Sequence, residues 1–88
     1  MTKELQELLD KLIKLALESD RNNLIVLHAE HLPDVYRKAR ATIEHGLYMI
    51  TGRYIAFTVE PPTDKYPSGT LESRYSAGAK PVFGDMFL

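Results

Sequence analysis

A chain of 88 residues in which eleven Lys and Arg oppose twelve Asp and Glu cannot offer duplex DNA the uncompensated cations that its phosphates demand. The absence of cysteine excludes disulfide staples and thiolate metal sites, and no apolar run approaches the roughly 18 residues of a membrane span. One domain is the ceiling for this length, and it buries only about 60–65% of its unfolded surface, so self-association is a natural source of added stability.

The opening stretch MTKELQELLDKL is amphipathic and contains acidic residues, unlike a signal or transit peptide. A cytoplasmic protein is therefore expected. Residues 3 to 19 read as the first helix. Leu5, Leu8, Leu9, Leu12, Leu15 and Ala16 recur at helical spacing, with Thr2 as cap and Glu4 at the positive end of the dipole. At ~100° per residue, Ile13 and Leu17 widen the apolar arc to roughly 200°, about twice what packing on one sheet requires. That width predicts a second covering surface, and a second copy of the chain is the favoured one.

LIVLHA, residues 24 to 29, is rich in branched side chains and is expected as a buried strand, with a short helix as competitor. Pro33 then opens a second helix, with Asp34 in its first turn. Val35, Ala39, Ile43, Gly46, Leu47 and Ile50 form one stripe, and Gly52 is the stop signal. Arg37, Lys38, Arg40 and Glu44 fall on the other side. With Glu44 four residues after Arg40, they read as a solvated ion-pair face. RYIAFTVE, residues 53 to 60, alternates as a strand that Pro61-Pro62 ends. Residues 61 to 81 are rich in Pro, Gly and Ser and irregular, apart from an optional short edge strand in TLESRYS. VFGDMFL closes the chain with Phe83, Met86, Phe87 and Leu88.

The fold expected is α+β: two amphipathic helices packed on a small sheet, followed by a long irregular C-terminal segment. Residues 1–60 form the compact core. Residues 61–88 supply a loop and an apolar tail belonging to the same single domain.

All three histidines lie between residues 28 and 45. A zinc centre needs three or four convergent ligands. On a strand, His28 and His31 point to opposite faces. Only the competing helix would pair them, so a metal-dependent hydrolase built on His28 and His31 is the least favoured reading. HAE has the His-x-Glu of zinc deaminases but lacks their Cys-x-x-Cys. No phosphate-cradling glycine loop or nucleophile elbow occurs, so neither a catalytic residue nor a cofactor is assigned.

Two binding classes remain. The leading one is a non-catalytic protein-interaction module of adaptor or inhibitor type. It would self-associate or hold another protein through Leu9, Ile13, Leu17, Phe83, Met86, Phe87 and Leu88. The alternative is a binder of a small nucleotide-type ligand. Arg53-Tyr54, Lys65-Tyr66 and Arg74-Tyr75, with Lys80 nearby, would supply cations for phosphate and rings for a base.

Overall fold

The computed structural model describes residues 3–31 and 34–81, and in residues 34–39 it describes the backbone path alone. Five elements follow in order: α1 (Lys3–Glu18), β1 (Leu24–His28), α2 (Asp34–Thr51), β2 (Ala56–Glu60) and β3 (Leu71–Arg74). The sheet runs β2-β1-β3, with β1 parallel to β2 and antiparallel to β3. This is an α+β layout with a mixed sheet. Thr2, Pro33, Phe83, Met86, Phe87 and Leu88 lie outside the described residues, as do the side chains of Val35, Tyr36, Arg37, Lys38 and Ala39.

Both helices pack on one face of the sheet. Leu5, Leu8, Leu9, Leu12 and Ala16 of α1 meet Ile43 and Leu47 of α2 over Ile25, Leu27, Ile55 and Phe57. The helices approach closely where α2 has no side chain: a Cβ built on Gly46 would stand 3.2 Å from Leu9 Cδ2. Farther along, Arg53 Nη1 donates to Ala16 O at 2.7 Å. Seven residues separate these contacts on each chain segment, so α1 and α2 run side by side in the same direction.

α2 ends as its sequence foretells. Gly52 adopts φ 72°, its N–H bonds Tyr48 O at 2.8 Å, and Thr51 Oγ1 donates to Leu47 O at 2.7 Å. The strand expected over 53–60 begins only at Ala56. Arg53 turns aside because its guanidinium spans Ala16 O and Asn22 O, closing the C-terminal end of α1 and the turn into β1. The Ala16 carbonyl lies in the last turn of α1, where carbonyls lack an intrahelical partner, and α1 has no basic residue of its own there.

The segment after Pro61 is built into the sheet. Pro67-Ser68-Gly69-Thr70 makes a turn in which Thr70 N–H bonds Pro67 O at 3.0 Å and Gly69 takes φ 89°, the signature of type II. β3 then pairs along β1 from Leu71 to Arg74. Asn23 holds the far end, since its side chain donates to Ser76 O and accepts from Ser76 N–H, each at 2.8 Å. The optional edge strand is thus a real element, four residues long.

Candidate functional site

The face of the sheet opposite the helices carries Leu24, Val26 and His28 of β1, with Thr58 and Glu60 of β2 and Glu72 and Arg74 of β3. Arg74 grips two carboxylates at once. Its Nε and Nη2 donate to Glu72 at 3.0 and 2.8 Å, and its Nη1 and Nη2 donate to Glu60 at 3.2 and 2.8 Å. Glu60 is registered with His28, whereas Arg74 is registered with Leu24. The bridge therefore crosses the central strand over Val26, which is fully buried.

His28 joins this network. Its Nε2 lies 2.8 Å from Glu72 Oε1 and its Nδ1 lies 3.1 Å from Pro61 O. An ionised carboxylate and a carbonyl oxygen only accept, so these two contacts favour the protonated ring, in which both nitrogens donate. The hydrogen bond to Glu72, followed by that to Pro61 O, raises the His28 pKa above 6.5. Glu72 is held below its ordinary value first by Arg74 and then by His28. With His28 protonated, two carboxylates and two cations balance. Tyr66 stacks on the His28 ring with ring centroids 4.8 Å apart and planes 5° from parallel. Lys65 Nζ sits 5.5 Å from the same Tyr66 ring, within cation–π range.

Next to this network, a pocket of about 320 Å³ opens at the C-terminal ends of the parallel strands β1 and β2. In open α/β sheets that end is where ligands bind. Glu30, His31, Arg40, Val59 and Glu60 are among its lining residues. Beside it lies Glu44, expected on a solvated face but fully buried. Its Oε2 accepts the Phe57 N–H at 2.8 Å and stands 3.6 Å from Arg40 Nε. The cause is backbone accounting. β2 is an edge strand, its Phe57 amide points away from β1, and a buried amide needs an acceptor.

The residues singled out in the sequence are distributed as follows. Leu9 is spent inside the chain, against Gly46. Ile13 is half-buried against the core, while Leu17 is 67% exposed. Arg53 and Arg74 are committed to the chain's own carbonyls and carboxylates. Tyr54 lies against Tyr48, with centroids 4.8 Å apart, and hydrogen bonding to Tyr48 raises its pKa. Tyr66 stacks on His28 at one end of β1 with Lys65 over its ring, and Arg74 joins them through Glu72, whereas Arg53 reaches Asn22 at the other end and stands apart. Tyr75 and Lys80 are exposed. His31 is exposed on the pocket wall and does not join His28. Among the described residues no three His, Asp or Glu side chains come together to hold a metal ion, and no helix is long and apolar enough to cross a membrane.

Comparison of the chain with protein-family models, with curated proteins and with solved structures finds no match.

Proposed function

We propose that the chain is a small non-catalytic protein-interaction module that self-associates through the end of its helical layer. The observation that carries this reading is the exposure of four large apolar side chains there. Leu17 is 67% exposed, Met49 69%, Ile50 58% and Tyr54 63%. The parallel run of α1 and α2 puts the last turn of each helix at the same end of the molecule, and Tyr54 follows directly on Arg53, whose side chain touches that end of α1. Large apolar side chains left in water at one end of a small domain are the raw material of an interaction site. The occupant proposed is a second copy, because a twofold pairing places each patch against its own equivalent and closes the assembly.

Light scattering coupled to size exclusion, from about 5 to 200 μM, tests the reading. A dimer is expected, and Leu17→Asp or Ile50→Asp should weaken it at least tenfold without changing the circular dichroism spectrum. A wild-type chain that stays monomeric over the whole range refutes it.

A further inference from the structure

The pocket described above wraps the outer edge of β2. Phe57 and Val59 belong to the helix side of that strand and Thr58 and Glu60 to the other, yet all four line it. Ala56 N–H bonds Asn23 O, and Glu60 O accepts the Ala29 N–H, so the even-numbered residues of β2 face β1. Alternation turns the amides of Phe57 and Val59 outward. The first is already taken by a carboxylate, that of Glu44, with the guanidinium of Arg40 alongside. Two residues farther on, the Val59 amide repeats the same donor along the pocket wall.

The cation is the same Arg40. Its Nε faces Glu44 at 3.6 Å, is buried and has no hydrogen bond, and no described residue takes the rest of its fork. A guanidinium carries five N–H donors suited to a planar carboxylate. The chain thus seats one carboxylate from within and leaves the Val59 amide and the rest of the same guanidinium on the pocket wall for a second from outside. The pocket also holds negative charge, because Glu30 lines it, beside a Glu60 that Arg74 already pairs. A simple anion would be repelled there, whereas a ligand with a cation near its carboxylate would not. A volume of about 320 Å³ is at the low end for ligand sites, which favours a small molecule over a nucleotide.

The geometry points to a binding site for a small zwitterionic carboxylic acid of amino-acid size, its carboxylate between Arg40 and the Val59 amide and its ammonium toward Glu30. This site is independent of the self-association surface, which lies at the far end of α2.

The test titrates the full chain with free amino acids, with propionate and propylamine as single-charge controls and with inorganic phosphate. Melting temperature and ¹H–¹⁵N amide shifts are read. At least one amino acid at ~10 mM should raise the melting temperature, increasingly with ligand excess, and should move the Val59 amide. Arg40→Lys keeps the charge beside Glu44 but loses the fork, and should weaken binding at least tenfold. Glu30→Gln should weaken it by a smaller factor. No response to any amino acid overturns the assignment, as does an equal response to propionate or phosphate. So does a response that Arg40→Lys leaves intact, or one that leaves the Val59 amide unmoved. Repeating the titration on Leu17→Asp separates the two proposals: ligand response there stands or falls without any dimer.

Discussion

Replacing Arg53 by methionine isolates one interaction. Methionine keeps an unbranched apolar stem of similar reach and removes the fork that joins Ala16 O and Asn22 O. Each bond is charge-assisted and worth about 1.5–3 kcal/mol where solvent is excluded. Arg53 is half-buried, so water recovers part of that when the fork is lost. The net cost expected is about 2 kcal/mol, against a total stability on the order of 4–13 kcal/mol for a domain of this size. Urea unfolding followed by far-UV circular dichroism at fixed protein concentration should show the midpoint falling by about 1 M with an unchanged slope. The melting temperature should fall by about 10 °C. Arg53→Lys retains the charge but reaches one carbonyl at a time, and should recover about half of the loss. If Arg53→Met stays within ~0.5 kcal/mol of the parent, the fork does not tie α1 to β1, and the account of why β2 starts at Ala56 fails with it.

Two further perturbations test other joints. At Gly46 alanine gains about 1 kcal/mol of helix propensity but pushes on Leu9 Cδ2, 3.2 Å away. Gly46→Ala should therefore change stability by less than ~1 kcal/mol, and Gly46→Leu should cost about 2 kcal/mol or more by forcing the helices apart; equal effects in chemical denaturation would show that the helices do not touch there. The His28 network predicts a bell in stability against pH. The folded state raises the His28 pKa above 6.5, so that contribution is complete below 6.5 and is lost as pH rises through the folded value. Glu72 is lowered from 4.5, so its contribution is complete above 4.5 and is lost as pH falls through its folded value. Urea midpoints should peak between those limits. His28→Asn should flatten the alkaline side, and a wild-type midpoint that climbs from pH 6 to 8 refutes the assignment.

What sequence alone revealed follows the range of each signal. The leucines of α1 sit at positions whose spacing is set within one helix, so Leu5, Leu8, Leu9 and Leu12 could be placed in the core before any fold was known. The branched run of β1 and the alternation of Ile55 and Phe57 were legible for the same local reason. β3 was faint because Glu72, Ser73 and Arg74 are polar and Leu71 alone reaches the core; its strand character comes from β1 and from ion pairs. Those pairs join residues fourteen and forty-four apart, Glu60 with Arg74 and His28 with Glu72, and no window spans them. Glu44 misled for a subtler reason. Four residues after Arg40, it matches a solvated helical pair, but the partner that buries it is the Phe57 backbone amide, and an amide leaves no mark in the sequence. Of the basic–Tyr pairs, Lys65-Tyr66 and Arg74 are linked through His28 and Glu72, while Arg53 lies at the opposite end of β1. In extended chain, adjacent side chains point to opposite faces, so Arg74 and Tyr75 part company where β3 ends.

The same geometry decides where a cation remains for a ligand. Arg53 is enclosed by the Ala16 and Asn22 carbonyls, and Arg74 is balanced by two carboxylates across the sheet. Drawing either one to a bound phosphate would break the contact that closes α1 or the bridge over Val26, and the ligand would have to outweigh that loss. Arg40 differs because its neighbour Glu44 is held in place by the Phe57 amide. A ligand that engages the remaining fork need not strip Glu44 of its anchor. The half-buried arginine with its hydrogen bonds unspent stands beside a strand edge that already binds one carboxylate. Recognition of a small acid at that edge therefore costs the fold less than recognition of phosphate by the arginines of the sheet.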